Sequence, residues 1–180
     1  MKKWIAALLL LCMLMPSALG ETLIAPHAFT LELPDGWKCD YSNNSLYSDE
    51  ANHYYFLGSA NNQDKIMEWS IWKDSADKKF SLYGAKQTKL LEHQSSVQYS
   101  LEKNGLTVQY KGLFDENEKK IPFMIFYVQS LKQGDYFYVH TVSKDWWIEM
   151  YYYNYFSDAQ IKEDEIAELY DLLRNFQPIL

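Results

Sequence analysis

The sequence predicts an α+β domain: a single antiparallel sheet, laid down as a meander and flanked by two or more helices. Three observations carry that expectation. First, residues 121–156 fall into three runs rich in β-branched and aromatic residues, IPFMIFYVQSL, YFYVHTVS and WWIEMYYYNYF, separated by the polar breaks KQGD and KD. That is the pattern of antiparallel strands joined by short turns. Second, two segments, near 77–92 and from 157 onward, space their apolar residues three and four apart, the period of an amphipathic helix. Third, the strand-like runs follow one another closely, and strands adjacent in sequence usually pair in space.

Residues 1–20 read as a secretory signal. Lys2 and Lys3 form a basic start, Trp4 to Met15 an apolar run, and Ala18-Leu19-Gly20 a small-residue cleavage site. Cys12 lies inside the apolar run, not at the cleavage point, so a lipid-anchored form is not expected. The apolar segment is too short for a good membrane anchor, and the mature chain is expected to have no transmembrane helix. Residues 21–180 then form one domain, exported to the periplasm or secreted, of a size that supports a single sizeable core. Without Lys2 and Lys3, 15 basic residues face 24 acidic ones, a formal charge of −9. Such a surface repels phosphate backbones, which argues against nucleic acid as a partner. Only Cys39 survives cleavage, so an internal disulfide is impossible, and packing must stabilise the fold.

Taken in order, Phe29, Leu31 and Leu33 alternate on one face of a strand that Pro34-Asp35-Gly36 ends. Tyr54–Ala60 and Ile66–Trp72 form a hairpin around Asn61-Asn62-Gln63-Asp64. Met67, Trp69 and Ile71 are its core face, with Ile66, Glu68, Ser70 and Trp72 on the other. A helix is expected over Asp77–Glu92, with Phe80, Tyr83, Gln87, Leu90 and Leu91 as its stripe and Ser75 or Asp77 as cap. Val97–Lys103 and Leu106–Phe114 flank Asn104-Gly105, which predicts a second hairpin and makes the meander five strands long. The last helix opens at Ser157 or Asp158, with Gln160 set for a capping box. It carries Glu163, Asp164 and Glu165 in its early turns, buries Ile166, Leu169, Tyr170, Leu173 and Phe176, and stops at Pro178.

The start Phe29-Thr-Leu-Glu-Leu-Pro-Asp-Gly-Trp37 resembles the opening of domains with the Mog1/PsbP-like fold, which include DcrB-like exported bacterial proteins. The element order across the mature chain is similar as well. Those families include accessory subunits of photosystem II, a nuclear-transport cofactor and exported bacterial proteins. The resemblance implies a non-catalytic accessory or binding module, and it supplies no functional residue.

The residues themselves offer little catalytic chemistry. There is no Gly-x-Ser-x-Gly elbow and no phosphate-cradling glycine loop. His27, His53, His93 and His140 are scattered singly without zinc-ligand spacing, so neither a metal nor another cofactor is expected. A Cys/His hydrolase pairing Cys39 with His53, His93 or His140 is the weaker alternative, and no local signature accompanies it. The unusual feature is aromatic content. On the last strand Trp147, Glu149, Tyr151, Tyr153 and Tyr155 share one face, while Trp146, Ile148, Met150 and Tyr152 form the better core face. The first set is the candidate contact surface for a partner protein, or for carbohydrate or peptidoglycan, since Tyr and Trp combine area with a polar handle. The plain alternative is that helices or neighbours cover both faces.

Overall fold

The computed structural model describes residues 22–25, 29–33, 35–39, 53–60, 64–73, 81–82, 84–118, 120–132, 134–143, 146–154 and 161–178. The expected signal segment and the Asn61-Asn62-Gln63 turn lie outside them. So do Ser75, Asp77, Phe80, Tyr83, Tyr155, Ser157, Asp158 and Gln160.

Among the described residues, ten strands and two helices follow in chain order. Strands β1 (Thr22–Ala25), β2 (Phe29–Glu32), β3 (Trp37–Cys39), β4 (His53–Ala60) and β5 (Lys65–Lys73) come first. Helix α1 (Gln87–Glu102) precedes β6 (Thr107–Phe114), β7 (Phe123–Gln129), β8 (Tyr136–Ser143) and β9 (Trp146–Asn154). A 3-10 turn (Glu163–Glu165) leads into α2 (Ile166–Arg174), and β10 (Phe176–Pro178) ends the fold. Strands β3 to β9 form a seven-stranded sheet of order β3-β4-β5-β9-β8-β7-β6, and all its pairings are antiparallel. Strands β1, β2 and β10 form a separate antiparallel sheet.

Each face of the large sheet carries a buried core cluster. On one, Met67, Trp69 and Ile71 of β5 and Ile148, Met150 and Tyr152 of β9 pack with Leu31, Leu169, Leu172, Leu173 and Phe176 from the small sheet and α2. On the other, Met124, Phe126 and Val128 of β7 and Tyr136, Tyr138 and Val142 of β8 pack with Val97, Leu90 and Leu101 of α1. The period-two alternation of β-branched and aromatic residues thus fills two cores at once. The sequence-derived core faces of β5 and β9 are both observed.

Three expectations are corrected. The first helix runs ten residues later than expected, and Leu91, assigned to its buried stripe, is 51% exposed. Val97–Lys103 is not a strand, because Val97 to Glu102 are the end of α1. Asn104-Gly105 is therefore the helix stop. Gly105 adopts φ 79°, and the Asn104 side chain donates to the Ser100 carbonyl at 3.1 Å. Positive φ serves a helix C-terminus as well as a hairpin, so the dipeptide alone does not choose between them. Phe176 and Pro178 belong to β10, not to the last helix. Pro178 sits on an edge strand that pairs with β2, where its missing N–H is tolerated.

Candidate functional site

The outward side chains of β5, β9 and β8 lie in rows across the second face, because these strands are adjacent. The registers align Ile66, Tyr153 and Tyr136, then Glu68, Tyr151 and Tyr138, then Ser70, Glu149 and His140, then Trp72, Trp147 and Val142. Of the expected contact residues, Trp147, Glu149, Tyr151 and Tyr153 are therefore on one surface, as their alternation predicts. Tyr155 lies outside the described residues.

Helix α1 meets this surface at one end through His93. At the covered end, His93 of α1 lies 5.0 Å from the His140 ring and edge-on to Trp147 at 5.6 Å. Trp147 also stacks on Trp72 at 5.8 Å and meets His140 at 4.3 Å. At the other end a cleft of about 360 Å³ is lined by Glu68, Tyr136, Tyr151 and Tyr153. The Tyr153 hydroxyl donates to Glu68 Oε2 at 3.4 Å. The Tyr136 and Tyr151 rings are 5.7 Å apart and inclined by 46°, while Tyr138 meets Tyr151 edge-on at 5.3 Å.

Glu149 joins the two ends. One oxygen, Oε1, accepts from the buried Tyr138 hydroxyl and from Trp147 Nε1, the latter at 2.9 Å. Burial, reinforced by the Glu149 carboxylate, holds the Tyr138 phenol well above its ordinary range. The same two causes push Tyr151 up, and burial alone pushes Tyr136 up. All three phenols are neutral near pH 7.

His140 is fully buried. Its Nδ1 lies 3.1 Å from the Ile148 carbonyl oxygen, which only accepts, so Nδ1 carries the proton. Its Nε2 is then the acceptor for His93 Nε2–H at 2.8 Å. Burial first, and His93 second, pull the His140 pKa down to about 3, and burial also lowers that of His93. The native pair is thus neutral at pH 7. Between about pH 3 and the ordinary histidine value near 6.5, the unfolded chain binds a proton at position 140 that the native chain refuses. The stability contributed by neutral His140 is complete above that window and is lost as pH falls through it, by about 1.4 kcal/mol per pH unit. From pH 7.5 to 5, urea unfolding should show wild type losing about 2 kcal/mol more than His140→Phe. Equal losses in the two proteins would contradict the assignment.

The remaining candidates do not assemble. The backbone of Cys39 is on β3, four strands from β8 in the sheet, a separation of about 19 Å. That separation rules out a thiol–imidazole pair with His140, or with His93, which sits against His140. His53 is on β4 opposite Trp72, whereas Cys39 is opposite Gly58, five residues away along β4. Among the described residues no three His, Cys, Asp or Glu side chains cluster as a metal site.

Sequence reasoning missed Glu68 and Tyr136 as parts of the cleft. Their outward orientation is readable from alternation, but the β5–β9 pairing that brings Glu68 beside Tyr151 joins residues more than eighty positions apart.

No family model matches the sequence, and no curated protein matches it. Among solved structures, the solution structure of cyanobacterial PsbP (CyanoP) from Synechocystis matches with a TM-score of 0.53 and 12% identity, over 92% of this chain and 95% of that one. The fold is PsbP-like. At such low identity the likeness extends to architecture and to no individual side chain. Within the PsbP-like fold of this chain, the cleft opens on the α1 side of the large sheet, away from α2 and the small sheet. No helix among the described residues is long and apolar enough to cross a membrane.

Proposed function

We propose that this chain is an exported accessory domain without catalytic activity, which contacts a protein or a cell-envelope ligand through the cleft at Glu68, Tyr136, Tyr151 and Tyr153. One observation carries the reading. Helix α1 reaches Trp147 and His140 through His93, while Glu68, Tyr151 and Tyr153 stay half-buried around a concavity that the buried Tyr136 also lines. Concave aromatic sites with a few convergent polar groups are the usual form of a ligand site. The PsbP-like fold supports the accessory role that the sequence resemblance implies. Residues 1–20 supply the export signal, with cleavage near Gly20. Carbohydrate recognition is the second reading. It rests on the tyrosines, since Trp147 is held against Trp72 and His93.

The test replaces Tyr153 with photoreactive p-benzoylphenylalanine in the cells that make the protein, with Tyr99 on the outer side of α1, 66% exposed, as the control position. A discrete cross-linked species is expected from position 153 and not from position 99. No product at 153, or the same products at both, would overturn the cleft as the contact site. Mass analysis of the same protein should find a mature N-terminus at Glu21. A chain retaining Met1 inside the cytoplasm would overturn export.

A further inference from the structure

We propose that the cleft binds an alkylammonium group, held by the ring faces of Tyr136, Tyr151 and Tyr153 and by the Glu68 carboxylate. The proposal rests on the preceding reading of the cleft as the contact site and specifies what enters it.

Three features select a cation. Among the described residues the lining is three phenol rings and one carboxylate, with no basic side chain. Among the described residues, the ion pairs of Lys65, Lys89, Lys111 and Arg174 all go to carboxylates other than Glu68 and Glu149. Two of the lining rings, Tyr136 and Tyr151, are also inclined to one another, by 46°. Inclined rings can wall a corner, and a cation placed over the face of such a ring is attracted by its quadrupole. Finally, the volume of about 360 Å³ is at the lower end for small-molecule sites. It suits one compact group better than an extended glycan chain. An anion would meet Glu68 and the π faces together, and both repel it.

Two sources share this chemistry: a quaternary ammonium head group and a primary amine such as a lysine side chain. The experiment titrates the folded full-length mature chain, carrying ¹³C-labelled tyrosine, with tetramethylammonium chloride in one arm and n-butylammonium chloride in the other. Sodium chloride matches the ionic strength, and the tyrosine ring resonances are read. The proposal expects saturable shifts at Tyr136, Tyr151 and Tyr153 in at least one arm. The arm with the tighter response identifies the source. The neutral isostere 2,2-dimethylpropan-1-ol should bind at least about tenfold more weakly than tetramethylammonium, because it lacks the charge. Glu68→Gln should weaken the cation by about fivefold or more. If that variant does not fold, the comparison of cation with isostere on the wild-type chain decides alone. Equal binding of the isostere, or no shift at these rings in either arm, overturns the proposal. N-acetylglucosamine oligomers shifting the same tyrosines while both ammonium ions do not would overturn it too, yet leave the cleft as a binding site. Loss of the cross-link at position 153 would remove the site itself.

Discussion

Phe176→Ala is expected to destabilise the fold by about 3–5 kcal/mol, the largest effect of any single substitution considered for this chain. Phe176 is fully buried although only Gln177 and Pro178 follow it among the described residues. Its ring lies parallel to Trp69 at 6.0 Å and edge-on to Phe123 at 4.8 Å. Its backbone pairs with Leu31 in the small sheet. One side chain therefore links β5 and β7 of the large sheet to β10 and β2 of the small one. Truncation removes the apolar transfer term and leaves a cavity between rings that cannot collapse without disturbing both sheets. A domain of this size is typically stable by about 5–15 kcal/mol, so the variant should unfold at a much lower urea concentration. Phe176→Leu should cost far less, about 1–2 kcal/mol. A Phe176→Ala midpoint close to that of wild type would mean that the small sheet does not pack as described.

Glu149→Ala is expected to cost about 2–4 kcal/mol, because a single carboxylate oxygen serves two donors. The Tyr138 hydroxyl is buried, with the residue only 3% exposed, and it has Glu149 as acceptor. Trp147 Nε1 shares that acceptor. Removing it leaves the buried Tyr138 hydroxyl and the half-buried Trp147 N–H without this acceptor, and a buried unmet donor costs about 1–3 kcal/mol. Glu149→Gln keeps a carbonyl oxygen at the same reach and should cost nearer 1 kcal/mol, the charge-assisted part of the interaction. The Trp147 fluorescence should also change more in the alanine variant than in the glutamine one. Equal stability of Glu149→Ala and wild type in urea unfolding would show that the two donors have other partners.

The amount legible in the sequence differs by level. Alternation is a local property, so the faces of β5 and β9 followed directly from Met67, Trp69 and Ile71, and from Ile148, Met150 and Tyr152. The hairpin of β4 with β5 and the run β6 to β9 were readable for the same reason: consecutive strands pair. The pairing of β5 with β9 was not, because all of α1 and three strands intervene between them. That pairing builds the cleft, which is why Tyr151 and Tyr153 were anticipated and Glu68 was not.

Helix α1 was placed ten residues early for a different reason. Its amphipathic signal is weak, and Asn104-Gly105 carries a positive-φ requirement that fits two structures. The spacing of Leu90, His93, Val97 and Leu101 by three and four residues was the available signal for continuing the helix. It also puts His93 on the inner side, where it meets His140. Phe176 looked helical because it continues the spacing of Leu169 and Leu173. The chain instead leaves the helix at Asn175, and β10 finds a hydrogen-bonding edge on β2.

Hydroxyl-radical footprinting of the mature protein, read by mass spectrometry, tests the division of the aromatic surface most directly. Tyr151 and Tyr153 should be oxidised well ahead of Tyr138, which α1 and Glu149 keep from solvent, and both should become protected when an occupant fills the cleft. Oxidation of Tyr138 as fast as Tyr153, or Tyr153 as inert as buried Tyr152, would contradict an open cleft beside a covered end.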